Sequence, residues 1–103
     1  MAYAEIRVPR KALSTVIRAL EDELRKLAIE ISLTKDRVRM YEQRYGMNSQ
    51  EFREKYEKGE LGDEEDYMSW YGELVFLEKA GKEYEELRRV IEDALRRISK
   101  KDR

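Results

Sequence analysis

Apolar residues recur at every third or fourth position along two long stretches of the chain, and we call each of these rows a seam. The first seam consists of Leu13, Ile17, Leu20, Leu24, Leu27, Ile31, Thr34, Val38, Tyr41 and Tyr45. Steps that alternate between four and three residues predict a long amphipathic helix of the coiled-coil type, which we place at residues 10–45. Whether this helix continues straight through Ser32 and Thr34 stays open.

The second seam consists of Trp70, Leu74, Leu77, Ala80, Tyr84, Leu87, Ile91, Ala94 and Ile98. It predicts another long helix over residues 63–99, with Asp63 as the N-cap. A shorter helix is predicted between the seams at residues 48–58. Gly46 suits the left-handed C-cap of the first helix, and Asn48 suits the N-cap of the short one.

The N-terminus shows a different period. Residues 3–8 alternate, with Ala4, Ile6 and Val8 on one face, and this predicts a short strand that ends at Pro9. The expected fold is therefore a single all-α domain over residues 1–103. It is a long antiparallel, coiled-coil-like helical hairpin with the short helix at its tip and the short strand at its start.

Apolar residues also lie beside both seams, for example Val16, Val75 and Phe76. An apolar stripe of that width is more than one neighbouring helix covers, so we expect a homodimer. A lone strand leaves its backbone groups unpaired, and pairing with its copy across a two-fold axis would satisfy them. The expected dimer interface consists of Ala4, Ile6, Val8, Leu13, Ile17 and Leu20.

Composition removes several function classes. The chain has no Cys and no His, which excludes thiol nucleophiles, imidazole bases and Cys/His zinc sites. We expect no enzyme activity, no metal and no cofactor. The absence of a long apolar run argues against a membrane partner, and the lack of Cys in so small a domain favours a cytoplasmic location. A charged content of 44% fits a thermophilic source or a long coiled coil.

Charge is segregated along the chain. Residues 51–73 hold nine acidic and three basic residues, a net charge of −6. This segment is interpreted either as a docking surface for a basic partner or as an ordinary solvated helix face. Aromatic residues, which interfaces favour, lie among the acids. The candidate partner-binding residues are Tyr56, Glu60, Leu61, Asp63, Glu64, Asp66, Tyr67 and Tyr71.

Basic residues surround the predicted strand. A two-stranded ribbon with outward polar residues can enter a DNA major groove, and Tyr3, Arg7, Arg10 and Lys11 are the candidate DNA contacts. Against this, no turn follows a short first helix, as a ribbon–helix–helix protein requires.

The segment from Tyr45 to Trp70 carries a recognisable series of residues: Tyr45, Gly46, Met47, Ser49, Glu51, Phe52, Tyr56, Gly59, Glu60, Leu61, Gly62, Asp63, Asp66 and Trp70. In this series the chain resembles a family of small helical proteins of archaea and some bacteria. Some members are similar to the antitoxins of toxin–antitoxin pairs, and the resemblance implies that the family acts by binding a partner protein.

These patterns favour a non-catalytic, antitoxin-like module that neutralises or scaffolds a basic partner such as a toxin, with DNA binding by the N-terminal ribbon left open. The alternative is a structural or chaperone-like coiled coil of the prefoldin type.

Overall fold

The computed structural model describes the backbone of residues 2–101 and the side chains of residues 2–98. A single 3-10 turn at Arg10–Ala12 leads into helix α1, Leu13–Tyr45. Helix α2 spans Ser49–Glu57, and helix α3 spans Glu65–Lys101. Within the described residues all regular secondary structure is helical, with two long helices and one short one besides the 3-10 turn, which confirms the all-α class.

Helix α1 runs without a break through Ser32 and Thr34. Thr34 is buried in the middle of the first seam, but its hydroxyl oxygen accepts a hydrogen bond of 3.0 Å from Nη2 of Arg37. A satisfied hydroxyl adds little penalty to an apolar row. The helix ends at Gly46, whose φ of 60° is the left-handed conformation that glycine adopts without strain.

Local signals also fix the short helix. The side chain of Asn48 accepts a 2.8 Å hydrogen bond from the backbone N–H of Glu51, as an N-cap does. Helix α3 begins at Glu65, two residues later than the start predicted at Asp63. The first turn of α3 is instead closed by Glu64, whose carbonyl accepts from the backbone N–H of Tyr67 at 3.1 Å.

Both long helices lie side by side with their seams facing inward. The end of α1 meets the beginning of α3, where the rings of Tyr45 and Tyr67 are 5.2 Å apart. At the opposite end, Leu13 and Leu95 line one cleft. No seam position is exposed, so the period of the sequence identified the inward face of both helices correctly. The molecule measures 60 × 27 × 19 Å.

The strand expected at residues 3–8 is not confirmed. This segment has no regular secondary structure, and the side chains of Tyr3 and Ile6 are 90% and 89% exposed. The described residues contain no strand at all, and one strand without a neighbour has no ladder of hydrogen bonds to hold it.

We use two names for the ends of the molecule. The tip is residues 41–71, and it holds nine acidic and four basic residues, a net charge of −5. The base is residues 2–20 and 91–98, and it holds six basic and three acidic residues, a net charge of +3. Because the two ends of the chain meet at the base, the fold places opposite charges at opposite ends of a long molecule.

Candidate protein-binding tip

A stack of aromatic rings forms the core of the tip. Phe52 of α2 and Trp70 of α3 are fully buried and lie face to face, with ring centroids 3.8 Å apart and planes 5° apart. Tyr41 and Tyr45 of α1 also stack on Trp70, at 5.8 and 6.0 Å. Each helix therefore contributes at least one ring, and the stack joins all three helices.

The indole N–H of Trp70 is satisfied inside this core. Nε1 of Trp70 donates to Oγ of Ser49 at 3.2 Å, and Oγ of Ser49 donates to Oε2 of Glu42 at 2.8 Å. The backbone N–H of Ser49 donates to the same carboxylate oxygen at 2.9 Å. Among the described residues, no buried side-chain nitrogen or oxygen lacks a hydrogen-bond partner. The tip thus combines dense apolar packing with full polar pairing.

A second network ties α1 to the start of α3. The hydroxyl of Tyr45 donates to Oδ2 of Asp66 at 2.7 Å and to Oε2 of Glu64 at 3.2 Å. Nη1 of Arg44 also donates to Oδ2 of Asp66, at 2.6 Å. These bonds from Tyr45 and Arg44 stabilise the carboxylate and lower the pKa of Asp66, while the bond to Asp66 raises the pKa of Tyr45.

A third network ties α2 to α3. The hydroxyl of Tyr71 donates to Oε2 of Glu57 at 2.7 Å, which lowers the pKa of Glu57 and raises that of Tyr71. Arg53 donates to Glu57 at 3.4 Å and to Glu78 at 3.1 Å, and its guanidinium carbon lies 5.6 Å from the ring centre of Tyr71. The short helix is therefore fastened by polar contacts as well as by Phe52.

Six of the nine tip carboxylates form no ion pair with described residues, and one of them, Glu42, is half-buried and accepts hydrogen bonds from Ser49. The other five are exposed and lie on α2, in the α2–α3 connection or at the first residue of α3: Glu54, Glu60, Asp63, Glu64 and Glu65. The other tip acids that α2 and α3 carry are neutralised by neighbours, as Asp66 is by Arg44. The negative potential is therefore concentrated on the connection around Gly59–Glu65, which we call the acidic connection.

The fold brings all eight predicted partner-binding residues to one end, but it divides them into two groups. Four are half-buried and pack on the aromatic core: Tyr56, Leu61, Tyr67 and Tyr71. Three of the acids are exposed: Glu60, Asp63 and Glu64. The eighth, Asp66, is held by Arg44 and Tyr45. Only the acids present their functional groups fully to solvent.

Sequence reasoning missed the polar members of the tip. Glu42 and Ser49 hold the indole N–H, and Arg44 and Arg53 neutralise acids of the tip. The available signal was that the indole N–H of a buried Trp needs a hydrogen-bond acceptor on a neighbouring helix. It does not say which polar residue supplies the acceptor.

The candidate residues at the base have mixed environments. The four proposed DNA contacts are all exposed: Tyr3, Arg7, Arg10 and Lys11. Of the expected dimer interface, Ala4, Ile6 and Val8 are exposed, while Leu13, Ile17 and Leu20 are buried or half-buried within one chain. These seam residues therefore have little apolar area left for a second copy.

The base also contains a cleft of about 730 Å³ between the start of α1 and the end of α3. Its walls are apolar at Val8, Leu13 and Ile98, and basic at Arg10 and Arg18.

Within residues 2–101, none of the helices has the length and apolar character needed to cross a bilayer. In the same part of the chain, no cluster of three or more acidic side chains is arranged to hold a metal ion. No protein-family model, curated protein or solved structure matches the chain.

Proposed function

We propose that the protein is a non-catalytic, antitoxin-like binding module: a dimeric helical hairpin that neutralises or scaffolds a basic partner protein through its acidic connection. The observation that carries this proposal is the set of exposed carboxylates that form no ion pair with any cation among the described residues, as at Glu60, Asp63 and Glu65. Elsewhere in the tip the chain does pair its acids, as at Asp66 and Glu57, so the acidic connection is the part left for an external cation.

Rigidity of the supporting core favours binding over a merely solvated surface. The acidic connection starts from α2, which Phe52 and Arg53 fasten, and Leu61 packs on the aromatic core. A preorganised charged surface loses less conformational entropy on association than a free loop does. Opposite charge on the partner also accelerates encounter and limits the choice of partner.

Half-buried rings at the margin supply the apolar part of the contact. Tyr56 and Tyr71 stack on each other with centroids 4.8 Å apart, and both remain partly exposed beside the acids. Such rings contribute contact area with few freely rotating bonds to immobilise. The proposed surface is therefore an acidic rim beside two tyrosine edges.

Copurification with a co-expressed partner tests the proposal. Any small basic protein encoded next to this one is the partner to test, and the readout is the amount that copurifies with the tagged protein. We expect Glu60→Lys with Asp63→Lys to weaken binding by at least about tenfold, because both reversals face the partner's cations. Glu83→Lys with Glu86→Lys is the matched control: both positions are exposed, and the change in net charge is the same.

Two outcomes contradict the proposal. An equal loss in both double variants means that only net charge matters, and a basic neighbour that never copurifies means that the surface has another role. Binding of unfolded clients that ignores both double variants would favour the prefoldin-like alternative.

DNA binding by the base is a secondary proposal, supported by the exposure of Arg7, Arg10 and Lys11. A mobility-shift titration of duplex DNA tests it. Arg7→Ala with Lys11→Ala should abolish a salt-sensitive shift, whereas Arg25→Ala with Lys26→Ala should retain it. A shift that is absent, or that does not weaken with salt, contradicts it.

A further inference from the structure

The two sides of the long helix pair differ in what covers them. On the first side, which we call the covered flank, α2 lies against α3: Tyr56 stacks on Tyr71, and Arg53 pairs with Glu78. Residues spaced three or four positions from Tyr71 along α3 share its side. Met68 and Val75 therefore lie on the covered flank, at the margin of α2.

The other side, which we call the open flank, is bridged by two ion pairs between α1 and α3. Nε of Arg37 lies 2.8 Å from Glu73, and Nη1 of Arg44 lies 2.6 Å from Asp66. Neither bridge involves α2. A groove of about 530 Å³ runs along this side beside Arg37 and Glu73, and no other element of the described chain fills it.

Large apolar side chains stand exposed along the open flank. Leu33 and Met40 flank Arg37 at four and three residues, and they are 53% and 49% exposed. Phe76 lines the groove opposite Leu33, and Val90, two heptads further along α3, is 54% exposed. A row of this kind across two helices is typical of a buried interface rather than of a solvated surface.

The distribution of charge favours one orientation for a second copy that binds to this apolar row. The tip carries −5 and the base +3, at opposite ends of a molecule 60 Å long. A second copy lying alongside in the same direction would place tip against tip and base against base. A reversed copy would place each acidic tip beside a basic base, and the apolar row would meet its own copy across a two-fold axis.

We propose that the open flank binds a second copy of the chain in reversed orientation, forming a four-helix arrangement with each tip beside the partner's base. The inference refines the homodimer included in the proposed function. It leaves accessible the part of the acidic connection that continues from α2, because α2 lies on the covered flank. It differs from pairing of the N-terminal segments, which would bring the two basic ends together.

Spin-label distances test the orientation directly. The chain has no native Cys, so a single introduced Cys is labelled without ambiguity. Gln50→Cys marks the tip and Thr15→Cys marks the base, and both positions are exposed. In the reversed dimer, two labels at residue 50 are separated by roughly the length of α1, about 50 Å at 1.5 Å per residue. In mixed dimers, a label at residue 15 and one at residue 50 lie at about half that distance or less.

Other arrangements give other distances and would overturn the proposal. A same-direction dimer gives short 15–15 and 50–50 distances. Pairing through residues 3–8 gives a short 15–15 distance and a 50–50 distance of about twice the length of α1, roughly 100 Å. A chain that sediments as a monomer at every concentration gives no intermolecular distance.

Substitutions in the row provide an independent test by sedimentation. Leu33→Lys with Met40→Lys should raise the dimer dissociation constant by at least about tenfold, because two cations replace buried apolar area. Met68→Lys with Val75→Lys also replaces two exposed apolar residues by lysines, but on the covered flank, and should change it by less than about threefold. Circular dichroism and Trp70 fluorescence verify that both variants fold. Equal effects of the two pairs would overturn the proposal.

The proposed partner binding and the proposed dimer orientation can be rejected independently of each other. The orientation is measured on the purified protein alone, whereas the proposed function is measured with tip variants and a co-expressed partner. A monomeric protein that still captures the basic partner would reject only the dimer. If the monomer instead holds unfolded clients on Leu33 and Met40, the open flank is a client surface.

Discussion

Tip and base are built from the same two long helices, yet they are packed differently. At the tip, α2 forms a third wall, and Phe52 and Trp70 are completely buried between the three helices. At the base, only two helices meet, and Ile17 and Ile91 are the buried residues beside a cleft of about 730 Å³. The base also carries the exposed segment before Arg10, which has no regular structure.

This difference shows how much a single short helix adds to a helix pair. Two helices enclose only a narrow strip between them, so most seam residues stay half-exposed. The nine-residue helix α2 closes one side of this strip, so that large aromatic rings are completely shielded from solvent. Burying one large apolar side chain contributes about 1.5–3 kcal/mol, so the stability of this protein is concentrated at the tip.

Removing the central ring of the tip should have the largest effect. Phe52→Ala should lower the free energy of unfolding by about 3–5 kcal/mol, because it leaves a cavity against Trp70. Urea unfolding followed by Trp70 fluorescence measures it, since Trp70 is the single Trp and reports only on the tip. Met68→Ala, at an exposed tip position, should change stability by less than about 0.5 kcal/mol. A similar loss in both variants would contradict the comparison.

Amide hydrogen exchange should reveal the difference in local stability between the tip and the base along each long helix. Amides of residues 38–44 and 70–77 should exchange at least about a hundredfold more slowly than those of residues 14–20 and 92–98, a difference of about 2.8 kcal/mol in opening free energy. Mass spectrometry of peptic fragments measures it within one sample, which serves as its own control. Uniform protection would mean that the base is as well packed as the tip.

The turn between α1 and α2 should be sensitive to the addition of one methyl group at Gly46. Gly46 has a φ of 60°, where a Cβ is strained, so Gly46→Ala should destabilise the protein by about 1–2 kcal/mol. Gly81→Ala is the matched control: an added Cβ in that helix meets nothing within 4 Å, and it should stabilise by about 0.5–1 kcal/mol. Thermal unfolding of both variants measures the two opposite signs. Destabilisation by both would show that Gly46 has no special role.

Acid should weaken the tip through Asp66, and this is the smallest of the effects. Tyr45 and Arg44 lower the folded-state pKa of Asp66, so its contribution is present above about pH 3.9 and is lost as the pH falls through the folded value. Asp66→Asn should therefore be less stable at pH 7 and lose less stability between pH 5 and 2. Gln50→Asn, a change between neutral side chains at an exposed position of the tip, should keep the original pH slope. Identical slopes in all three proteins would contradict the role of Asp66.

Much of the fold follows from local physics and was predictable. The seam positions all face inward because a helix with a repeat of three and four has only one apolar side to bury. The N-cap at Asn48 and the C-cap at Gly46 act within one turn of the chain, so nearby residues determine them. The start of α3 was predicted two residues too early, because several consecutive acidic residues can act as the N-cap of that helix.

The site was predictable only as a region of the chain. The acids of residues 51–73 do gather at one end, but the sequence did not show which of them Arg44, Arg37 and Arg53 would neutralise. Tyr56, Tyr67 and Tyr71 are all half-buried, which helical spacing alone could not show because it depends on how α2 packs against α3. Pairing of that kind joins residues that are 14 to 36 positions apart in the chain.

By itself, the sequence determined the two long helices, their inward faces, the C-cap of α1, the N-cap of α2 and the separation of charge along the chain. These features depend on residues a few positions apart, where backbone geometry leaves few choices. Only the tertiary structure decided which flank α2 covers and which carboxylates stay exposed. It also decided that residues 2–20 and 91–98 meet to form one positively charged end. Those properties depend on the packing of distant segments, such as the buried stack of Phe52 on Trp70 that joins α2 to α3.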